Sequence, residues 1–402
     1  MGQLSAIEQA AVEAAGAAAM LAQVEVWAGV NSGSRNLDGL ATIAAMLGEA
    51  FALLPGELTF REPAPVEAVD VSGMVLAIEH GRNLHLVVRP QAPVQLLLTG
   101  HYDTVFGVDH PFQSLTWLEP GVLGGPGVAD MKGGIAVMLA ALKAFETSPL
   151  ADRVGYEVVL NSDEEVGSPG SAALIAKAAR GKRAALTYEP AALPDGTLAG
   201  ARPGSGNFSF VIAGKSAHAG RNPEDGRNAV VAAADLALRL AKGKGPRLSV
   251  NVAKVDGGGP NNVVPDSAVL RVNLRPATVD GQARAQSLID AAVAMVAAEH
   301  EVGIHVHGSF ARPPKPMTPA AEQLFGLVRQ AGADLGQTIG WQPTGGVCDG
   351  NNIAACGVPV IDTMGVRGGK IHSMEEYLIV ESLAERAALS ALTLLRLAGE
   401  TA

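Results

Sequence analysis

The chain has 402 residues, 48% of them apolar, and carries 30 Lys and Arg against 40 Asp and Glu for a net charge of −10. That length points to two domains rather than one, and the apolar content excludes wholesale disorder. An acidic balance, only 4% aromatics and no basic run argue against a nucleic-acid partner. Cys348 and Cys356 are the two cysteines, too few for a disulfide framework or a four-thiolate zinc site, which fits a reducing compartment. No run approaches about 18 uninterrupted apolar residues, so no membrane span is expected and the protein reads as cytoplasmic.

In chain order, the Ala-rich first thirty residues carry Glu8, Glu13 and Glu25 and read as an amphipathic helix, not a signal peptide. From Val94 onward, short apolar runs alternate with helical patterns: VQLLLT (Val94–Thr99), YEVVLN (Tyr156–Asn161), AALTY (Ala184–Tyr188) and VPVIDT (Val358–Thr363). Such runs suit strands buried on both faces of a parallel sheet. Helices are expected over Met131–Phe145, Ser168–Arg180 and about Ser373–Leu397.

The middle of the chain reads differently. A strand at Asn207–Ala213, a helix at Arg227–Lys242, strands at Leu248–Val255 and Ser267–Leu274, a helix at Gln282–His300 and a strand at Ile304–Phe310 give the order βαββαβ. That is a split-βαβ, ferredoxin-like pattern, flanked by loop-forming ARPGSG (Ala201–Gly206) and ARPPKPMTP (Ala311–Pro319). The expected architecture is therefore α/β: a mixed, mostly parallel sheet domain formed by residues 1–205 and 315–402, with a ferredoxin-like unit inserted at 206–314. The inserted sheet would leave edge groups unpaired, and its helix RNAVVAAADLALRLAK (Arg227–Lys242) is apolar on more than one face. A homodimer through this unit is expected.

Ligand sites in open α/β sheets lie beyond the carboxyl ends of the strands. His101 follows the first predicted strand, Glu164 and Glu165 follow the second, Glu189 the third, and His372 comes after the fourth. A Gly-rich turn, LGGPGVADMKGG, places Asp130 just before a helix. Any one of these is ordinarily a solvated loop residue, and Asp130 alone could be a helix cap. Their convergence on one sheet edge is harder to dismiss. His300, His305 and His307 have no matching carboxylates and read as surface or packing residues.

Two His and three carboxylates suit zinc, or else cobalt or manganese, through mixed N/O ligands. With Asp130 bridging two ions, four ligands remain to be divided two and two. Such a pair, about 3.5–4 Å apart, can activate a water near neutral pH. Glu164, beside a ligand but not needed as one, is then the general base.

The motifs HxDTV, GPGVADMKGG, SDEEVGS, YEPA and IHSMEEY, in order over roughly residues 94–378, resemble the co-catalytic zinc exopeptidase family of glutamate carboxypeptidases, aminoacylases, peptidase T and succinyl-diaminopimelate desuccinylase. The GPG turn and YEP resemble its carboxypeptidase G branch most. The resemblance implies His101, Asp130 and Glu189 on one zinc and Asp130, Glu165 and His372 on the other. It implies Asp103 orienting His101, Glu164 as base, and a cis peptide between Asp130 and Met131. In the inserted unit it points to His218 of GKSAHAG as a catalytic residue, and to Asn262 of NNVVP and Arg275 of RVNLRP as substrate-binding residues. The activity implied is hydrolysis of an amide, releasing a C-terminal, glutamate-type amino acid from a peptide or N-acyl amino acid, with N-acyl amino acid deacylation as the alternative. GGVCDGN (Gly345–Asn351) departs from the family, which more often has Ser or Thr before the Asp.

Other classes fare worse. GVRGGKI lacks the spacing and the Ser or Thr of a phosphate loop, and no GxSxG marks a serine hydrolase. A non-catalytic metal-binding protein would have no need of Glu164.

Overall fold

The computed structural model describes residues 4–399. Its central sheet runs in the order Glu57–Arg61, Asn83–Val88, Val154–Asn161, Val94–His101, Ala184–Thr187, Val360–Ile361. The Val94–His101 strand lies parallel to both neighbours, and Ala184–Thr187 lies parallel to Val360–Ile361. The first two strands of the order are antiparallel additions at one edge. The parallel strands are mostly apolar because helices cover both faces: Leu96 and Leu98 point into one core, Leu97 and Val159 into the other.

The helix Gly133–Glu146 is buried nearly throughout and packs against Glu381–Gly399. Gly134 lets it approach the sheet, since a Cβ there would stand 1.9 Å from the Tyr188 carbonyl oxygen. At the amino terminus two helices form, Ala6–Gly16 with a Ser5/Glu8 capping box and Met20–Ala28, where one was expected; residues 1–3 of that expectation lie outside the described residues.

Ser205–Ala213, Leu248–Gly257, Ser267–Pro276 and Gly303–Arg312 form a separate antiparallel sheet, with Leu248–Gly257 and Gly303–Arg312 at its edges. Helices Ala229–Lys242 and Val279–His300 cover one face, enclosing a core of its own around Phe210, Leu236, Leu270 and Ile289. The chain therefore has a mixed α/β catalytic-type domain with an inserted βαββαβ unit, as the sequence pattern requires.

The expected helix start near Ser373 is a correction. Residues 377–379 are a strand that pairs with Val122–Gly124 in a small sheet, and the helix begins at Glu381. The Glu-rich run that resembles a helix N-terminus is used for another contact, described below.

Candidate active site

The carboxyl ends of the parallel strands deliver the expected residues to one edge. His101 is the last residue of its strand, Glu164 and Glu165 sit in a short 3-10 turn after Val154–Asn161, and Glu189 lies just past Ala184–Thr187. Ligand atoms of His101, Asp130 and Glu165 lie within 4.8 Å of one another, as do those of His101, Glu164 and Glu189. His101 Nε2 is 3.1 Å from Asp130 Oδ1 and 3.6 Å from Glu189 Oε2. His372 Nε2 is 3.0 Å from Glu165 Oε2 and 3.3 Å from Asp130 Oδ2. Asp130 thus touches both imidazoles through different oxygens.

The backbone is unusual at two of these groups. Asp130 lies three residues after Gly127, which is left-handed at φ 73°, and the Asp130–Met131 peptide bond is cis. His372 is itself left-handed at φ 62°, a conformation uncommon for a residue with a Cβ. It stands on the loop between Gly368–Gly369 and Tyr377–Ile379 of the small sheet, and its side chain is half exposed while the others are buried.

Asp103, fully buried, does more than orient one ring. His101 Nδ1 lies 3.1 Å from the Asp103 carbonyl and 3.3 Å from its Oδ1. The Asp103 carboxylate also accepts the backbone N–H groups of Glu164 at 3.1 Å and Glu165 at 3.2 Å, and the Ser34 hydroxyl at 2.7 Å. One carboxylate therefore holds an imidazole and the turn that carries two acids.

Electrostatics at this edge are lopsided. Burial pushes Glu164 up to about 7, and burial with Asp130 nearby pushes Glu165 to about 8. Hydrogen bonds to Asp130 and Glu165 raise His372 to about 11. Burial works against charge on His101, yet the neighbouring Glu189 and the hydrogen bonds to Asp103 and Asp130 hold its pKa well above the usual range. Four acids crowd here with too little positive charge among the side chains. Two imidazoles sharing that patch with carboxylates are a donor set suited to two divalent cations with N/O preference.

Sequence reading missed three supporting residues. Glu376 reaches back across 246 residues to accept the N–H of Asp130 at 3.1 Å, together with those of Ala129 at 3.0 Å and Gly127 at 3.2 Å. This contact takes up the acid that looked like a helix start. Arg312 and Asp349 form a buried ion pair at 2.8 Å behind Glu164. Nothing in a Pro-rich linker or a Gly-rich loop announces these partners, although an acid next to IHSM and an Arg opening a linker were visible.

Glu376→Gln should test that support. The amide oxygen could still accept from Ala129 and Asp130, but the amide nitrogen would face the Gly127 N–H, so the loop bearing Asp130 loses one of its three holds and is repelled at that point. Metal affinity is expected to fall by about 10–100-fold, read by competition against a chelator. Unchanged affinity would remove Glu376 from the site.

The inserted unit's candidates divide. A 330 Å³ cavity is lined by Asp130, Glu164, Glu189, His372, Val347 and Cys348, with Thr344 and Gly346 among its wall residues. Arg275 is not in that lining and meets it only at the Gly345 carbonyl, between those two wall residues. Its Nη1 donates to the Gly345 carbonyl at 3.0 Å and its Nε to Asn273 Oδ1. It forms no ion pair with a carboxylate among the described residues. His218 and Asn262 are exposed and stand together, the Ala219 N–H donating to the Asn262 carbonyl. His218 Nδ1 accepts from the Gly220 N–H, and neither residue touches the acidic edge of its own chain among the described contacts. His300 pairs with Asp235 and His307 with the Glu67 carbonyl, away from that edge.

Fold and edge together define a hydrolase-type site built for divalent metal. The chain matches the profile of peptidase family M20/M25/M40 over residues 97–396, and it belongs to that family of metallopeptidases and amidohydrolases. It is 31% identical over 387 residues to carboxypeptidase G2 of Pseudomonas sp. (strain RS-16), covering 93% of this chain and 88% of that protein. It is 28% identical over 319 residues to succinyl-diaminopimelate desuccinylase of Xanthomonas oryzae pv. oryzae, covering 74% and 82%. Among solved structures, a Staphylococcus aureus tripeptidase superposes with a TM-score of 0.71 at 21% identity, covering 99% of this chain and all of that one.

Proposed function

We propose that this chain is a dinuclear metal-dependent carboxypeptidase that hydrolyses the amide linking a C-terminal amino acid to a peptidyl or acyl group. The observation that carries this reading is Arg275. Its guanidinium has no carboxylate partner among the described residues and donates to the carbonyl of Gly345, whose neighbours Thr344 and Gly346 line the cavity that holds Asp130, Glu164 and Glu189. Such a group holds a substrate carboxylate through paired hydrogen bonds. The 31% identity to carboxypeptidase G2 supports the same choice.

His101, Asp130 and Glu189 would hold one cation, and Asp130, Glu165 and His372 the other, with zinc the ion best matched to this donor set. Bound there, the cations supply Lewis acidity toward the scissile carbonyl and the attacking water. Asp103 keeps the His101 ring and the Glu164–Glu165 turn in register. Glu164 takes the proton of the attacking water and returns it to the leaving amine. Arg275 and Asn262 position the substrate, and His218 donates to the developing oxyanion.

Residues 206–314 would act as a lid and dimerisation unit between the parts of the catalytic domain at 1–205 and 315–402. The Leu248–Gly257 edge strand and the exposed Val231, Leu238 and Val255 give a second copy a surface to cover. Among the described residues no helix is long and apolar enough to cross a membrane, and both cysteines are free; we place the enzyme in the cytoplasm.

The test is a hydrolysis panel of N-benzoyl-glutamate, N-acetyl-alanine, N-succinyl-lysine and Ala-Glu with added zinc, cobalt or manganese. Release of the C-terminal amino acid, abolished by chelation, is expected. Inactivity across substrates with a free α-carboxylate, alongside turnover of their amides, would overturn the carboxypeptidase reading.

A further inference from the structure

The hinge of the inserted unit is an ordered, buried junction. Ser205 opens the first strand of the unit, Arg312 closes its last, and the two residues are paired across the sheet. Beside them the first turn of the helix Asp349–Ala355 clasps both connections. Asn351 Nδ2 donates to the carbonyls of Pro203 and Pro313, each at 2.8 Å, and Asn352 Nδ2 to that of Ala311 at 2.8 Å. Arg202, on the first connection, forms a paired ion contact with Asp362, which Lys315 of the second connection also meets at 2.7 Å.

Arg312 differs from these anchors in where its side chain goes. Its backbone belongs to the inserted sheet, while its guanidinium, 3% exposed as a residue, is buried in the catalytic domain. Nη2 donates to Glu164 Oε1 at 2.7 Å, to the Glu164 carbonyl at 3.0 Å and to Ser168 Oγ at 3.0 Å. Nη1 donates to Asp349 Oδ1 at 2.8 Å and Asn352 Oδ1 at 3.1 Å. Asp349 is held in turn by the Ser168 hydroxyl and by Asn161 Nδ2. Glu164 is thus gripped at its carbonyl and at one carboxylate oxygen, while a carboxylate oxygen also stays within reach of His101 and Glu189.

We infer that Arg312 is a positioning residue: it fixes the carboxylate of Glu164 toward the reacting edge, and because it is built on the hinge strand it ties the orientation of the base to the placement of the inserted unit. The inference rests on the reading of Glu164 as base. A guanidinium can grip two oxygens of one residue and a second carboxylate at once, which an ammonium does not reproduce. Any rotation of the inserted unit about the Ser205–Arg312 junction would move this grip, since the guanidinium that holds Glu164 is carried by the unit's last strand. Lining the cavity is left to other residues; Arg312 acts through Glu164.

Arg312→Gln and Arg312→Lys would be compared with Glu164→Gln and with the double variant Glu164→Gln/Arg312→Gln, each as full-length metal-loaded protein on the fastest substrate of the panel above. Both Arg312 variants should keep the wild-type metal content and KM within about twofold, while kcat falls by about 10–100-fold, the lysine variant less than the glutamine. The double variant should be no slower than Glu164→Gln alone within about twofold, since the two residues act as one unit. A normal kcat in Arg312→Gln overturns the inference. So does a loss carried by KM, or a double variant in which the two losses multiply, since each means that Arg312 touches substrate or serves only stability. If Arg312→Gln does not fold, Arg312→Lys retains the buried charge and is read by the same three criteria. Failure of the underlying reading looks different: Glu164→Gln itself would then be active.

Discussion

Glu164→Gln is expected to lower kcat by at least about two orders of magnitude while the protein keeps its full metal content. The substitution preserves size and leaves an oxygen to accept from Arg312 Nη2, so the buried network behind the turn stays filled. What is lost is the capacity to take a proton from water and deliver it to the leaving amine. The neighbouring acid gives the contrast. Glu165 lies 3.0 Å from His372 and shares a ligand cluster with His101 and Asp130, so Glu165→Ala should reduce bound metal, measured by elemental analysis, along with rate. Glu164 and Glu165 are adjacent in sequence, and the 3-10 turn that carries them hangs from the single carboxylate of Asp103. Separate phenotypes for two neighbouring acids would therefore be a statement about which way each side chain points. Near-normal turnover in Glu164→Gln, or metal loss equal in both variants, would refute the division of roles.

Much of this arrangement is legible in the sequence. Strands such as VQLLLT declare themselves because they are buried on both faces, and their carboxyl ends mark where ligands collect. His101, Asp130, Glu165, Glu189 and His372 are brought together as that argument requires. The edge strand Glu57–Arg61 was not legible: it is only partly buried along its length, so its apolar pattern is weak. Glu376 was passed over because it falls inside the helix expected from about Ser373, whereas its carboxylate collects three N–H groups of the Gly127–Asp130 loop. Arg312 and Asp349 were passed over for a related reason. A lone charge in a Pro-rich linker or Gly-rich loop looks solvated, and its meaning comes from a partner 37 residues away in one case and 148 in the other. Local pattern reports burial well and says little about which distant charge a buried charge will meet.

The inserted unit carries the last expected result, a loss that one chain can repair in another. His218 is exposed, its Nδ1 accepts from the Gly220 N–H, and among the described contacts it does not touch the acidic edge of its own chain. If it serves as the oxyanion donor, removing it should cost about 10²–10³ in kcat with metal content intact. Arg275 donates to the Gly345 carbonyl, next to the cavity-lining Thr344 and Gly346 of its own chain, and Arg275→Ala should instead raise KM by about tenfold or more, the loss of a charge-assisted contact worth roughly 1.5–3 kcal/mol. These placements give a cross-chain test of the proposed homodimer. Glu164→Gln and His218→Ala chains, each nearly inactive alone, would be co-expressed with different tags and the mixed dimers isolated. If His218 acts across the interface, one site in each mixed dimer combines the intact Glu164 of one chain with the intact His218 of the other. By the twofold symmetry of such a dimer, about half of wild-type activity should return. An Arg275→Ala chain mixed with Glu164→Gln should show no such rescue of KM, because in that dimer the intact Glu164 and the missing Arg275 belong to the same chain. Mixed dimers of Glu164→Gln and His218→Ala as inactive as their parents would place His218 in its own chain's site or outside the chemistry. A monomeric mass at micromolar concentration would remove the premise altogether.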